Sequence, residues 1–128
     1  MTAASLDPLT TDLVSIEVSG SAPAVCVTVA GEVDSTSAPV LRQHIEPLLD
    51  GDVRELTIDL GQVTFLDSAG LCVLAAAHRQ AVRQDVTMRV LASSRAVIRP
   101  LQITGLWDLL KAERVDGSPA LPAQQGVA

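Results

Sequence analysis

The residues of this chain with the clearest chemical potential are Asp67 and Ser68, at the junction between two structural patterns. A strand-like segment, 53–60, comes before them, and a long apolar, alanine-rich helical segment that ends near residue 84 follows. The first N–H groups of a helix lack partners within the helix, and the helix dipole is positive at this end. A serine hydroxyl there is well placed to carry a phosphate group. We therefore expect Ser68 to be a contact point for a partner protein that phosphorylation can switch.

Three residues near this junction each have two interpretations from the sequence alone. Ser68 could instead cap the helix, a contribution of ~1 kcal/mol, although Asp67 could provide the same cap. Gly70 either allows tight packing of the helix against its sheet or leaves room for a partner. Asp34 follows another predicted strand, and in a parallel sheet it would border Ser68, whereas the alternative is a solvated turn aspartate. The sequence leaves these alternatives open.

The surroundings of Ser68 argue against serine hydrolysis. The nucleophile elbow of hydrolases has glycine two residues before and two residues after the serine. Gly70 fits the second position, whereas Leu66 occupies the first, and His44 and His78 both fall in helical patterns. The nucleotide-binding patterns GxxxxGK[ST] and GxGxxG are absent from the sequence. We predict no catalytic residue, no metal site and no cofactor, so any ATP must be bound by a partner.

Composition narrows the class of protein. The 128 residues are enough for one domain, and 48% of them are apolar. The net charge of -6 argues against nucleic acid or an anionic membrane as the main partner. No signal peptide is visible, and no apolar run approaches the ~20 residues that span a bilayer. Cys26 and Cys72 fall in apolar segments, which predicts buried thiols in a reducing compartment. We expect a soluble, cytoplasmic domain.

Hydrophobic periodicity predicts the fold. The segments 13–18 and 24–30 alternate in polarity around a turn and predict a β-hairpin. Apolar spacing predicts helices after Ser37, after Asp67 and after Ser94, with strands at 53–60 and 86–91 between them. The stripe predicted to be buried on the central helix is Leu71, Leu74, Ala75, His78 and Val82.

Both of the later strands alternate in polarity, whereas a strand buried on both faces would be apolar throughout. The pattern therefore predicts an α/β fold: a mixed, mainly parallel four-stranded sheet, made of a β-hairpin and then βαβαβ, with helices mostly on one face. We place the domain at 13–113, with a flexible lead-in at 1–12 and a flexible tail at 114–128. Pro47 should bend or shorten the first helix, and Pro100 should kink the third.

Five short stretches resemble the STAS domain family, and specifically its stand-alone anti-sigma factor antagonists. They are GEVD at 31–34, LTIDL at 56–60, VTFLDSAGL at 63–71, AHR at 77–79 and TGL at 104–106. The set follows the order found in the family and covers roughly 13–110. A short DS-x-G motif is weak evidence by itself, but the ordered set is specific. The resemblance also implies a mixed sheet with helices, in agreement with the periodicity.

The resemblance implies a function as well. The unphosphorylated antagonist of this family binds an anti-sigma factor that is also a serine kinase, and sigma factor is released. The kinase uses its own ATP and Mg²⁺ to phosphorylate the serine that matches Ser68, and a separate serine phosphatase reverses this. Aspartates matching Asp34 and Asp67 lie in the contact surface. The residues predicted to meet the partner are Asp34, Asp67, Ser68, Ala69 and Gly70.

Other classes of function stay open from the sequence. The chain could be a scaffold subunit of a stress-signalling complex, or an accessory STAS protein of a lipid-transport system. A small-molecule binding module is a further alternative, although a one-sided sheet offers no evident deep pocket. We expect a monomer or a weak dimer, whereas a scaffold subunit should assemble into large particles.

Overall fold

The computed structural model describes residues 14–115. The predicted lead-in at 1–12 lies outside the described residues, as does the predicted tail beyond residue 115. In chain order the elements are β1 (Val14–Ser21), β2 (Ala24–Val33), α1 (Ala38–Leu49), β3 (Glu55–Leu66), α2 (Ser68–Arg83), β4 (Thr87–Ala92), α3 (Arg95–Ile103), α4 (Leu106–Leu109) and β5 (Glu113–Arg114).

Within the described residues the strands form one sheet in the order β1-β2-β3-β4-β5. β1 and β2 pair antiparallel, which is the predicted hairpin, and the other neighbours pair parallel. The mixed, mainly parallel α/β architecture is therefore confirmed, with five strands rather than the predicted four. The additional strand, β5, has two residues and includes Arg114, which we predicted to lie in the tail. Two residues are too few to show a period of alternation, so no pattern in the sequence could predict this strand.

The hydrophobic core lies on one face of the sheet, as the alternating strands predicted. Its most deeply buried members, each at most 1% exposed, include Val27, Val29, Leu56, Ile58 and Val90 from strands, and Leu41, Ile45, Leu74, Val97 and Leu101 from helices. The intervening strand positions, such as Thr57 and Arg89, are half-buried or exposed. Each fully buried aliphatic side chain contributes about 1.5–3 kcal/mol. This shared face fixes the helices, and hence their first turns, relative to the strands.

β3 is longer than predicted, because it continues from Leu60 through Leu66. Its pairing with β2 shifts register twice, between Thr28 and Ala30 and again between Gly31 and Glu32. Each shift gives β3 one extra residue, which is the property of a β-bulge. The bulges change which side chains point inward, so the buried positions move from Leu60 to Val63 and then to Leu66. The alternation that marked the strand thus stops at the first bulge although the strand does not.

The buried face of α2 differs from the predicted stripe. The buried residues are Gly70, Val73, Leu74, Ala77 and Ala81. Of the predicted stripe only Leu74 is buried; Leu71, Ala75 and His78 are half-buried, and Val82 is 64% exposed. The helix is rotated by about one residue, or ~100°, from the predicted orientation. Small side chains face inward because they allow close approach, and an alanine-rich helix has too uniform an apolar pattern to reveal this.

The prediction that both thiols are buried was wrong. Cys72 is exposed on the solvent side of α2, and Cys26 is half-buried beside Thr28, with 3.8 Å between Sγ and Oγ1. Cys26 lies on the face of β2 opposite the core, whereas its neighbours Val25 and Val27 point into the core. Cys72 was misplaced because the predicted rotation of α2 was wrong, whereas Cys26 lies on the predicted face of β2 and that face is not part of the core.

The two prolines that were predicted to disturb their helices, Pro47 and Pro100, lie inside them. Pro47 is in the last turn of α1, which still extends to Leu49, so it does not shorten the helix. Pro100 lies within α3, which continues to Ile103. Its carbonyl accepts hydrogen bonds from Thr104 N at 3.1 Å and Thr104 Oγ1 at 2.8 Å, which secure the end of that helix.

Candidate functional site

Ser68 is the first residue of α2, immediately after the end of β3. Its side chain is exposed, and its hydroxyl makes no hydrogen bond within residues 14–115. His44, a possible base for a serine nucleophile, does not contact this hydroxyl. Its Nδ1 lies 2.9 Å from the carbonyl oxygen of Val40, within its own helix. The Ser68 hydroxyl is therefore accessible both to another protein and to chemical modification.

Asp67, rather than Ser68, is the N-cap of α2. Its backbone is extended, with φ -110° and ψ -168°. Its Oδ1 accepts the N–H of Ala69 at 2.9 Å and the N–H of Gly70 at 3.4 Å. These are two of the N–H groups that a helix start leaves without partners. Of the two interpretations of Ser68, capping is thus excluded by the structure.

Asp34 lies in the turn that joins β2 to α1. Its Oδ1 accepts the N–H of Thr36 at 2.9 Å and the N–H of Ser37 at 3.1 Å. These donors, with the Ser37 N–H as the largest cause, hold the pKa of Asp34 below its usual value. Its other oxygen, Oδ2, has no hydrogen-bond partner within the described part of the chain. Asp34 therefore shapes the turn while keeping a free carboxylate oxygen.

The loops that hold Asp34 and Asp67 are adjacent. Val33 pairs with Leu66 in the sheet, and Asp67 N donates to the Val33 carbonyl at 3.2 Å. Asp34 and Asp67 each follow one of these paired residues, so both aspartates lie with Ser68 at one edge of the sheet. The prediction from parallel topology is confirmed on this point. The edge around the serine is acidic.

Ser37 is a supporting residue whose role in the site was not predicted. It occupies the N-cap position of α1, as expected, but its hydroxyl does not cap that helix. The hydroxyl donates to the Glu32 carbonyl at 2.7 Å and accepts the Asp34 N–H at 2.9 Å. Ser37 is fully buried. A signal was present in the spacing Asp34-x-x-Ser37, which is typical of a turn closed by side chains.

Gly70 is buried, although we predicted it to contact the partner. A Cβ at this position would collide with Leu66 Cδ1 and would lie 2.8 Å from Val33 Cγ1. The glycine thus allows α2 to start close against the ends of β2 and β3. Packing accounts for Gly70, and this residue is excluded from the accessible surface of the site.

Ala69 is half-buried and lines a groove of about 380 Å³ between α1 and α2. Cys72 lines the same groove one turn further along α2, and Arg42 and Arg79 also border it. The accessible surface around Ser68 therefore continues along the helix pair. Neither arginine was predicted to be part of the site.

Residues 14–115 contain no group of three or more His, Cys, Asp or Glu side chains that could hold a metal ion. Within the same residues no helix has both the length and the apolar character required to cross a bilayer.

Comparison with known proteins gave consistent results. The family model described as "STAS domain" matches residues 14–116. A curated relative, the anti-sigma-B factor antagonist of Bacillus subtilis (strain 168), is 33% identical over 97 residues, which are 76% of this chain and 88% of the relative. The anti-sigma-B factor antagonist of Listeria monocytogenes is 31% identical over 91 residues, which are 71% and 80% of the two chains.

A solved structure is similar over nearly the whole chain. The crystal structure of an anti-sigma factor antagonist from Mycobacterium paratuberculosis superimposes with a TM-score of 0.72 and 29% sequence identity. The match covers 94% of this chain and 96% of that one.

Proposed function

The chain belongs to the STAS domain family, and from this premise we propose that it is an anti-sigma factor antagonist controlled by phosphorylation of Ser68. In the unphosphorylated state it binds an anti-sigma factor that is also a serine kinase, and sigma factor is released. The observation that supports this most directly is the exposed Ser68 hydroxyl, which the cap by Asp67 leaves without a structural task.

The proposed modification requires nothing from this chain except the serine. The kinase holds ATP and Mg²⁺ and transfers the γ-phosphoryl group to Ser68 Oγ, which loses its proton, while ADP leaves. A separate serine phosphatase hydrolyses the phosphoserine and restores the hydroxyl. Exposure at the start of a helix is what both enzymes require, because each must bring its active site to the oxygen.

Electrostatics explains how the phosphate would end binding. Phosphoserine adds about -1.5 to -2 charges near neutral pH. A partner surface packed around a neutral hydroxyl would then enclose a desolvated charge next to Asp67 and Asp34. Such an uncompensated charge costs a few kcal/mol, or roughly a hundredfold in affinity. The helix N-terminus, in contrast, accommodates a phosphate in the free protein.

Phosphorylation and binding assays test this proposal. The purified protein is mixed with candidate anti-sigma factor serine kinases, ATP and Mg²⁺, and phosphate is located by mass spectrometry. We expect a single phosphate on Ser68 and loss of the complex once it is added. Ser68→Ala should accept no phosphate and keep binding, and Ser68→Asp should bind weakly.

Ser21→Ala is the matched control, because Ser21 is also exposed but lies at the opposite end of the sheet, in the β1–β2 hairpin. This variant should be phosphorylated and should bind like the wild type. Phosphate found only at another residue would contradict the proposal. So would a phosphorylated protein that binds the anti-sigma factor as tightly as the unmodified form.

A further inference from the structure

A second groove lies on the other side of the site, between the end of β3 and α3. We call it the α3 groove; it has a volume of about 670 Å³. Its apolar lining comes from Phe65, Leu66, Ala96, Pro100 and Ile103. Phe65 is 46% exposed and Ile103 is 74% exposed, so the described chain leaves both without cover. Exposed apolar side chains that lie together in a shallow groove can serve as a docking site.

Two arginines border the same groove. Arg95 and Arg99 are four residues apart on α3, so they lie on one face of the helix, and both are exposed. Within residues 14–115 neither makes an ion pair, because the ion pairs found there join Arg42 to Glu46 and Arg89 to Glu113. The chain as a whole carries a charge of -6, whereas this groove is locally positive. The groove is therefore complementary to an apolar segment that carries carboxylates.

The α3 groove lies beside the site formed by Asp34, Asp67 and Ser68. Leu66 lines the groove, and Asp67 and Ser68 follow it directly. A protein that covers Ser68 thus has the groove within its reach. The edge carries carboxylates at Asp34 and Asp67 and a positive charge at Arg95, so it can orient a partner by charge as well as hold it.

We infer that the anti-sigma factor inserts an apolar side chain flanked by carboxylates into the α3 groove when it docks over Ser68. Arg95 and Arg99 pair with those carboxylates, and the apolar lining encloses the inserted side chain. The inference rests on the proposed function, and it adds the chemistry of the partner. An apolar anchor surrounded by arginines is a common composition of the residues that dominate binding.

Charge argues against a second copy of this chain as the occupant. A twofold dimer brings the same patch of both chains together. Through this groove it would place two copies of Arg95 and Arg99 near the symmetry axis, where like charges repel. An acidic segment of a different protein meets no such repulsion.

A charge-reversal pair tests the inference against the anti-sigma factor identified by the binding assay above. Arg95→Glu with Arg99→Glu changes the groove, and Arg54→Glu with Arg83→Glu makes the same charge change as a control. Arg54 and Arg83 are exposed at the opposite edge of the sheet, before β3 and at the end of α2. We expect calorimetry to show at least about tenfold weaker binding for the groove variant and a change within about twofold for the control.

A separate variant tests the apolar lining of the α3 groove. Ile103→Ser should weaken binding about fivefold or more while leaving thermal unfolding nearly unchanged, because Ile103 is mostly exposed. Arg95→Lys with Arg99→Lys should bind more tightly than the glutamate pair but more weakly than wild type, because the charge is retained while the paired N–H donors of the guanidinium are lost.

The outcomes separate the two proposals. If the groove variant binds within about twofold of wild type while Ser68→Asp does not bind, the inference is wrong and the proposed function stands. If no anti-sigma factor binds the wild type, both are wrong. A change in sedimentation of the groove variant would assign the groove to a second copy. Tighter binding after removal of residues 1–13 would assign it to the chain's own N-terminal segment, and either result would overturn the inference.

Discussion

Asp67 and Ser68 are adjacent in the chain but have separate tasks, one structural and one chemical. Asp67 Oδ1 accepts the N–H groups of Ala69 and Gly70, whereas the Ser68 hydroxyl makes no hydrogen bond in the described part of the chain. We expect Asp67→Ala to lower the free energy of unfolding by ~1 kcal/mol, because α2 loses its cap. Ser68→Ala should change it by less than ~0.5 kcal/mol. Urea unfolding followed by circular dichroism measures both.

Asp67→Ser is the matched control, since serine is also a good N-cap and should recover most of the lost stability. If Ser68→Ala lowers the free energy of unfolding as much as Asp67→Ala does, the Ser68 hydroxyl also stabilises the fold, and the assignment of separate roles to the two residues is wrong. The sequence could name both candidates for the cap but could not choose between them. Aspartate and serine are nearly equal at this position, and the choice depends on where β3 ends.

Gly70 is a second residue whose role the sequence alone could not decide. Its cost inside a helix was visible in the sequence, but the compensating contact was not. That contact involves Leu66 and Val33 from two different strands, which only the folded chain brings together. The five residues predicted to meet the partner thus include four that are at least partly accessible and one that is buried.

The junction between β2 and α1 depends on the buried hydroxyl of Ser37. Ser37→Ala would leave the Glu32 carbonyl and the Asp34 N–H without their partner, since Ser37 Oγ contacts both. An unsatisfied buried polar group costs about 1–3 kcal/mol, so we expect a loss of this size in unfolding free energy. The turn that positions Asp34 should also exchange its amide hydrogens faster, which NMR detects.

Ser35→Ala provides the comparison, because Ser35 lies in the same turn but is exposed. It should leave both stability and exchange close to wild type. Equal effects of the two substitutions would mean that the turn is not held by the Ser37 hydroxyl.

The elements themselves were predictable, whereas their ends and rotations were not. Alternation identified β3 through Leu60, but two bulges then shift the inward-facing positions to Val63 and Leu66. A pattern of period two cannot follow a strand across an inserted residue. For α2 the apolar spacing established a helix, but the tight contact at Gly70 set its rotation. Both errors concern how neighbouring elements pack, which a linear pattern does not contain.

The one-sided sheet gathers the whole candidate surface at one edge. β2 and β3 run parallel and end together, so their following loops place Asp34 beside Asp67 and Ser68. The helices pack on one face, and their grooves open on either side of the serine. The fold class was predictable because every strand that shapes this edge shows one polar and one apolar face. The two grooves were not, because they depend on which side chains the packed helices leave uncovered.

Because Ser68 is exposed at this edge, a charge on it should change binding without changing the stability of the fold. Ser68→Asp tests this expectation. An acidic group in the first turn of a helix gains about 0.3–1 kcal/mol from the dipole, and repulsion from Asp67 offsets part of this gain. The melting temperature should therefore move by less than about 4 °C. Amide NMR shifts should change only near the edge that holds Ser68. Affinity for the anti-sigma factor should nevertheless fall about a hundredfold.

Leu74→Ala is the contrasting variant, because Leu74 is completely buried in α2. Its truncation should cost about 2–5 kcal/mol and should reduce stability and binding together, since the docking surface loses its support. A local switch requires the two variants to differ, with binding lost in the folded protein for Ser68→Asp and through unfolding for Leu74→Ala. If Ser68→Asp melts as early as Leu74→Ala, the loss of binding reflects a damaged fold, and charge at Ser68 is not the signal that the partner reads.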